Sequence, residues 1–235
     1  WGRNSDGGQL GNGTNSGSNV PVLVSGITNA ISVTASDFAH SCALLQNGQV
    51  KCWGCNHNGQ LGNGTNSDSN VPVLVSGITN AISVTAGNSH SCALLQNGQV
   101  SCWGFNQPVN GVNSSPNVPV LITGITNAIS VAGGGYLSCA LLQNGQVKCW
   151  GLNNNGQLGN GTNSGSIAPT LVSEITNAIS VGVGLVHGCA VLQNGQVKCW
   201  GSNSDGQLGN ETNSNSNVPV LVSEITNAIS VTVGN

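Results

Sequence analysis

Short runs that alternate apolar and small polar residues recur along the chain, and polar loops rich in asparagine and glycine separate them. Residues 30–35 (AISVTA) are typical, since isoleucine and valine alternate with serine and threonine. A period of two residues predicts a β-strand, and the repeating segments carry no period typical of an amphipathic helix. The pattern therefore predicts an all-β chain.

The next two apolar runs form a predicted β-hairpin. Residues 41–45 and 49–53 are joined by a Gln-Asn-Gly turn that ends at Gly48, and Asn-Gly between apolar runs is a strong hairpin signal. If Gly48 takes the left-handed position of a three-residue loop, Cys42 faces Cys52. Both faces of this hairpin are apolar, which is typical of a sheet covered on both sides.

A fourth strand is predicted at residues 71–76 (VPVLVS), after a long polar loop. Its Pro72 lacks an N–H group, so we expect the strand at the edge of its sheet, where a missing donor costs least. The sequence thus predicts a four-stranded sheet in which the hairpin forms the centre.

The whole unit recurs with a period of about 50 residues, which is typical of propellers, solenoids and arrays. ITNAIS occurs at residues 27–32, 78–83, 125–130, 175–180 and 225–230, and Trp-Gly begins at Trp1, Trp53, Trp103, Trp150 and Trp200. We expect a single repeat domain over residues 1–235, with blades at about 1–29 (partial), 30–79, 80–127, 128–177, 178–227 and 228–235 (partial). Both ends cut a unit, so the sequence indicates a window from a longer repeat protein, and a circular permutation is the second interpretation.

The string HSCALLQNGQVKCWGCNHNGQLGNGT at residues 40–65 resembles the regulator-of-chromosome-condensation repeat. The pattern W-G-x-N-x-x-G-Q-L-G-x-G-T also fits residues 150–162 and, apart from Glu211 in place of glycine, residues 200–212, whereas residues 103–115 (WGFNQPVNGVNSS) lose Gln-Leu-Gly. The resemblance implies four-stranded blades of a β-propeller, usually seven-bladed in that family, and its cysteines make the chain most similar to secreted members. The family includes a nucleotide exchange factor and protein-inhibitory propellers, so the fold transfers but an activity does not.

Charged residues are scarce. The chain has four Lys+Arg and seven Asp+Glu, 5% of its residues, against about 25% in an average globular protein. Four scattered cations cannot neutralise a run of phosphates, so we expect no nucleic-acid partner. No apolar stretch reaches the length of a membrane span, so we expect none.

Eight of the nine cysteines form four pairs with nine residues between the members. The pairs are Cys42/Cys52, Cys92/Cys102, Cys139/Cys149 and Cys189/Cys199. The predicted hairpin places each pair at a non-hydrogen-bonded position, where Cα atoms lie about 4.5 Å apart, within the usual disulfide range of about 4.4–6.8 Å. Disulfides made in an oxidising compartment explain this repetition best, and small buried apolar thiols are the alternative. Cys55 is left over as a free or intermolecular thiol.

One Asn-x-Ser/Thr acceptor for N-linked glycans falls in the same loop of every unit. The acceptors are Asn12, Asn63, Asn113, Asn160 and Asn210. The third keeps the pattern although its neighbours differ, and the fifth keeps it with Glu211 in place of glycine. Glycans would solubilise a surface with few charges; alternatively, Gly-Asn-Gly-Thr is only a turn of the family, in which asparagine tolerates a positive φ.

Residues that could carry catalysis or bind a metal form no repeated constellation. His40, His90 and His187 share one position, which Leu137 takes in another unit, and without carboxylate or cysteine partners a contact in a turn explains them better than a metal. Asp37 and Ser41 lie near His40 only in sequence. We therefore expect no enzyme activity, no metal and no cofactor, and we expect the Trp-Gly tryptophans to fill space between blades.

The repetition itself favours a structural role. Near-identical units with identical loops provide length and durability, so the first hypothesis is an extracellular structural or surface-displayed protein that self-associates into a fibre or another assembly. The alternative is a propeller that binds a protein or glycan through its loop face. Its most distinctive patch would be the irregular third unit, with Phe105, Gln107, Pro108 and Val109.

Overall fold

The structure, a computed structural model, describes residues 1–36, 39–105, 107–109 and 112–234, without the side chains of residues 107–109, 112 and 113. Every regular element in these ranges is a β-strand. The described residues contain no helix long and apolar enough to cross a membrane. The Cα positions divide the chain into two compact units, Trp1–Ile122 and Thr123–Asn235.

The first unit contains two four-stranded antiparallel sheets and one two-stranded hairpin. Its strands are β1 (Ala30–Ala35), β2 (His40–Leu45), β3 (Val50–Gly54), β4 (Ser69–Leu74), β5 (Ala81–Ala86), β6 (His90–Leu95), β7 (Val100–Gly104), β8 (Gln107–Val109), β9 (Val112–Ser114) and β10 (Val120–Leu121). The strand orders are β1-β2-β3-β4 and β5-β6-β7-β10, and β8 pairs with β9. Each four-stranded sheet is a meander, and in the second one the β8–β9 hairpin lies in the chain between the neighbouring strands β7 and β10.

The second unit contains two further sheets of the same kind. Its strands are β11 (Ala128–Gly133), β12 (Leu137–Leu142), β13 (Val147–Gly151), β14 (Ser166–Leu171), β15 (Ala178–Val183), β16 (His187–Leu192), β17 (Val197–Gly201) and β18 (Ser216–Leu221). The orders are β11-β12-β13-β14 and β15-β16-β17-β18. These sheets confirm the predicted fold class, all-β with four-stranded propeller blades. The division of residues 1–235 into one domain with the stated blade limits stays a prediction.

The central hairpin has the predicted register. Cys42 lies opposite Cys52, and the Leu45 N–H donates to the Gln49 carbonyl at 2.9 Å. Gly48 has a φ of 78°, the left-handed conformation that closes a three-residue loop with a bulge. The Asn-Gly signal therefore determined the pairing of the two strands.

The outer strand β4 lies at the edge of its sheet, as Pro72 predicted. It begins two residues earlier than the expected 71–76, because Ser69 pairs with Gly54 of β3. It ends earlier because the Ser76 N–H donates to the carbonyl of Gly62 in the long loop instead of continuing the ladder.

Each unit has a core between its two four-stranded sheets. All six residues of β2 are buried, so this strand is covered on both faces, as its continuous apolar character predicted. In the first unit the core includes Cys42, Leu44, Val50, Cys52, Val84, Ala93 and Trp103. In the second it includes Cys139, Leu141, Val147, Cys149, Val181, Ala190 and Trp200.

Candidate functional site

A disulfide links the two central strands of each four-stranded sheet. The bonds join Cys42 to Cys52, Cys92 to Cys102, Cys139 to Cys149 and Cys189 to Cys199, with Sγ–Sγ distances of 2.09, 2.11, 2.04 and 2.13 Å. Their Cα–Cα distances of 4.0–4.1 Å are shorter than the expected value of about 4.5 Å for a non-hydrogen-bonded antiparallel pair. All eight side chains are buried. The structure thus joins the cysteines that the hairpin register placed opposite each other.

One fully buried asparagine organises the long loop of each regular repeat. In the second repeat, Asn56 Nδ2 donates to the carbonyls of Thr65 at 2.9 Å and Ser67 at 3.0 Å, and its Oδ1 accepts the Leu61 N–H at 2.9 Å. The equivalent residues Asn4, Asn153 and Asn203 bond in the same way. Sequence analysis missed this role, although the asparagine of W-G-x-N was a visible signal.

The acceptor asparagines lie at the turn of these loops. Asn63 Oδ1 accepts from the Thr65 hydroxyl at 2.9 Å and from the Thr65 N–H at 3.1 Å. The same hydroxyl contact occurs at Asn12, Asn160 and Asn210. Each of the four is partly exposed, and their Nδ2 atoms, which would carry a glycan, donate to no group in the described part of the chain. The turn uses one atom of the amide and leaves the other accessible, so the two interpretations of the motif are compatible.

The third repeat differs from this arrangement. The backbone of Asn113 lies in β9, opposite Pro108 of β8, so a hairpin replaces the regular loop. The side chains of Gln107, Pro108, Val109 and Asn113 lie outside the described residues. Phe105, which precedes the hairpin, is exposed.

The loop of one repeat covers the tryptophan of the next. Trp103 Nε1 donates to the Gln60 carbonyl at 2.8 Å, and a Cβ added to Gly62 would lie 2.7 Å from the Trp103 ring. Trp53 and Trp200 make the same bond to Gln9 and Gln157. Only a glycine allows the loop to approach the indole this closely.

The four later Trp-Gly tryptophans are buried, as expected of residues that fill space, and Trp1 is not. Trp150 is buried too, but its Nε1 has no acceptor among the residues the structure describes. Trp1 is 76% exposed.

The repeated histidines are buried at the start of a strand. His40 Nε2 lies 2.9 Å from the Ser91 hydroxyl in the next blade of the same unit. That hydroxyl donates to the Gln60 carbonyl at 3.0 Å, so Nε2 of His40 carries the hydrogen of their bond. Burial, with a further contribution from the charge of His90, lowers the pKa of His40 to about 3.

The other two histidines are buried in the same way. Burial lowers the pKa of His90 to about 4 and also lowers the pKa of His187. Their imidazoles are therefore neutral at neutral pH. The second unit has no equivalent of the His40–Ser91 bond, because Leu137 stands at the position of His40 and Gly188 at the position of Ser91.

The residues near His40 in sequence do not form a triad with it. Its partner is Ser91, whereas the Ser41 hydroxyl donates to the Gln9 carbonyl at 3.3 Å. Asp37 lies outside the described residues.

Cys55, predicted to be a free or intermolecular thiol, forms no disulfide with another described residue and is buried. Desolvation raises its pKa, although nearby N–H groups of His57, Gln60 and Asn56 favour the thiolate. Its sulfur lies near His57 and Asp68, within 4.8 Å of a ligand atom of each.

Two family models match the chain. Both are described as the regulator of chromosome condensation (RCC1) repeat; one matches residues 1–44, 47–94, 144–191 and 194–235, and the other matches residues 30–60, 81–108, 128–157 and 178–207. The matches of the first model together cover more than half of the chain.

Solved structures with similar folds include human WBSCR16, with a TM-score of 0.73 and 24% identity over 83% of this chain and 53% of that one. Yeast RCC1 (Prp20), crystallised bound to Kap60, has a TM-score of 0.74 and 22% identity over 89% of this chain and 52% of that one. The ectodomain of the Physcomitrella patens receptor kinase CR4 has a TM-score of 0.50 and 26% identity over 80% of this chain and 46% of that one. The chain spans about half the length of these structures.

Proposed function

The chain belongs to the regulator of chromosome condensation repeat family, and from this premise we propose that it is an extracellular, non-catalytic repeat protein with a structural or surface-displayed role. Self-association into a fibre or another assembly is part of this proposal. The main observation that supports the extracellular role is the disulfide in each of the four blades.

These disulfides support an oxidising compartment because of where they lie. The sulfur pairs are buried in the central hairpins. Disulfides persist outside the cell and are rare in the cytosol, where thiols are kept reduced. Because the same bond recurs in every blade, it is a property of the repeat and not of one site.

The regularity of the loops supports a structural role. Four loops share the same buried asparagine and the same turn. Repetition of one surface suits an array of equivalent contacts better than a single catalytic centre.

The compartment can be tested by counting thiols in protein isolated from its source. We expect denaturation in an alkylating reagent to modify one cysteine without reductant and all nine after reduction. Mass spectrometry identifies Cys55 as the modified residue in the first case. Nine modified cysteines without reductant would contradict an oxidising compartment.

The structural role can be tested on the native assembly. We expect electron microscopy of isolated protein to show filaments or sheets, with sedimentation showing a species much larger than one chain. A monomer that co-purifies with one partner at fixed stoichiometry would contradict self-association and favour the second candidate.

The second candidate is a protein-binding or glycan-binding blade surface, favoured by the β8–β9 hairpin. This hairpin is the one departure from the shared loop among the described repeats, and exposed Phe105 precedes it. Yeast RCC1 was crystallised with Kap60, and the study of Prp20p reports binding to Gsp1p and histones. Replacing residues 105–115 with the equivalent segment of the fourth repeat should abolish binding and leave assembly intact.

The proposal also includes N-linked glycans, at Asn12, Asn63, Asn113, Asn160 and Asn210. The free Nδ2 atoms of the four regular turns support it. Asn63→Asp should remove the glycan and keep the turn, because an aspartate oxygen still accepts from Thr65. Asn63→Ala should remove both. Intact mass before and after enzymatic deglycosylation measures occupancy, and an unchanged mass at all five positions would contradict this part.

A further inference from the structure

The second repeat departs from the other regular repeats at three positions that meet in space. Cys55, His57 and Asp68 stand where the fifth repeat has Ser202, Ser204 and Asn215, and where the fourth has Leu152, Asn154 and Gly165. The first repeat has Arg3, Ser5 and Gly17 at these positions. Only the second repeat therefore combines a thiol, an imidazole and a carboxylate here.

The ligand atoms of the three side chains converge. They all lie within 4.8 Å of one another, and His57 Nδ1 lies 3.8 Å from Asp68 Oδ1. Bonds of about 2.0–2.3 Å in a tetrahedral zinc site place ligand atoms about 3.2–3.8 Å apart. The His57–Asp68 distance already lies in this range, and the exposed His57 side chain is free to adjust towards an ion.

The surroundings of the Cys55 sulfur suit a metal-bound thiolate. Gln60 is fully buried, and its Nε2 has no hydrogen-bond partner of ordinary geometry among the described residues. This amide lies beside the sulfur, together with the backbone N–H groups of His57 and Asn56. A neutral thiol is a weak acceptor, whereas a thiolate is a strong one. The buried Gln60 amide, whose Nε2 has no other partner among the described residues, is therefore placed to donate to a metal-bound sulfur.

From these observations we infer that Cys55, His57 and Asp68 bind a divalent transition-metal ion, and that Zn²⁺ fits the donor set best. One sulfur, one nitrogen and one oxygen ligand suit a borderline-soft ion. A polar depression lined by Ser5, Asn15 and Asp68 reaches one of the three ligands, and we assign the fourth position to a water. The site is independent of the assembly proposed above.

One part of the cluster has a structural role as well. Asp68 Oδ1 accepts the Asn56 N–H at 2.7 Å, and Asn215 makes the same bond to Asn203 at 2.8 Å. An asparagine is therefore enough for the loop, and the loop geometry requires neither Cys55 nor His57.

Titration of the chelator-treated full chain with Zn²⁺ tests the inference. We expect one Zn²⁺ per chain, a sulfur-to-metal charge-transfer band with Co²⁺, and alkylation of Cys55 at least about tenfold slower with Zn²⁺ present. Cys55→Ser, His57→Asn and Asp68→Asn should each weaken binding at least about 100-fold. Sister repeats already carry these residues, so the variants should keep the fold, which circular dichroism checks.

The fifth repeat provides a gain-of-site control. The triple variant Ser202→Cys, Ser204→His and Asn215→Asp should bind a second Zn²⁺. The inference is overturned if the wild-type chain binds no stoichiometric Zn²⁺, or if the three single variants bind it as tightly as the wild type.

Discussion

Single buried polar side chains hold the loops of this protein. Asn56 satisfies one N–H and two carbonyl groups that would otherwise be buried without partners. Leaving such groups unsatisfied costs about 1–3 kcal/mol each. Long loops without strands are usually variable, and here one amide fixes the loop's path.

Asn56→Ala should therefore lower the free energy of unfolding by about 2–4 kcal/mol. Asn58→Ala is the matched control, since the Asn58 side chain makes no hydrogen bond to the described residues; it should change stability by less than about 0.5 kcal/mol. Urea denaturation followed by tryptophan fluorescence measures both. Equal effects of the two variants would refute the role of Asn56.

His40 makes the free energy of unfolding depend on pH. Its pKa is about 3 in the folded chain and about 6.5 in the unfolded chain, so between these values only the unfolded chain binds the proton. Stability therefore falls as pH falls from about 6.5 towards 3, by up to about 1.4 kcal/mol per pH unit from this residue.

His40→Leu should make this slope shallower. Leu137 shows that the fold accepts leucine at this position, and combining the change with Ser91→Gly reproduces the Leu137 and Gly188 pattern of the second unit. Urea midpoints at several pH values between 4.5 and 7.5 measure the slope. The same slope in wild type and variant would contradict the assignment.

At the scale of the element, each central hairpin is held by its turn and by its disulfide. The covalent loop is short, with a sequence separation of 10 in every blade. Entropy estimates for such a loop give about 2–3 kcal/mol.

Cys139→Ala combined with Cys149→Ala should lower the free energy of unfolding by about 2–5 kcal/mol, since the variant also loses buried sulfur volume. Denaturant titration without reductant measures the loss. Adding reductant to the unfolding buffer should lower the free energy of unfolding of the wild type below the value that the variant has without reductant. The reduced wild type has lost all four disulfides, whereas the oxidised variant has lost one. An oxidised variant as stable as oxidised wild type would show that the bond contributes nothing.

The loop that covers a tryptophan is the second stabilising element. Gly62→Ala and Gly77→Ala both place a side chain at a positive φ, of 65° and 70°, which costs about 1 kcal/mol. Only the first also meets the Trp103 ring, whereas Gly77 faces open space. We expect Gly62→Ala to destabilise by at least about 1 kcal/mol more than Gly77→Ala in thermal unfolding. Equal losses would contradict the close packing.

Local features of the fold were predictable from the sequence, and contacts between repeats were not. The Asn-Gly turn before Gln49 predicted the hairpin, and Pro72 predicted the edge strand. The bonds of His40 to Ser91 and of Trp103 to Gln60 join residues more than 40 positions apart. In a repeated sequence each partner is visible, but nothing in the pattern says which copy it contacts.

The candidate site, like the fold, was predictable from the sequence only where its contacts are local. The cysteine pairs followed from register, whereas the approach of Asp68 to Cys55 depends on how the loop closes around Asn56. The β8–β9 hairpin also had a signal in the sequence, since Asn-Gly at residues 110–111 lies between two valines. The sequence analysis did not predict a hairpin from it.

For the whole molecule, few charges predict little response to salt. The ion pairs among the described residues are Arg3–Asp6, Lys198–Glu174 and His57–Asp68, each with an exposed partner. Exposed pairs contribute about 0–1 kcal/mol, and the Debye length falls from about 10 to 3 Å between about 0.1 and 1 M salt. The free energy of unfolding should change by less than about 1 kcal/mol over this range of sodium chloride. A larger loss would contradict the expectation that charged side chains contribute little to the stability of the fold.

The loops that cover Trp53, Trp103 and Trp200 all precede these tryptophans in the chain. On the ribosome, Gln9 emerges ahead of Trp53, Gln60 ahead of Trp103 and Gln157 ahead of Trp200. Each indole therefore leaves the exit tunnel after the segment that will shield it. Synthesis from the amino terminus can complete one blade after another without a long wait for shielding sequence still to be translated.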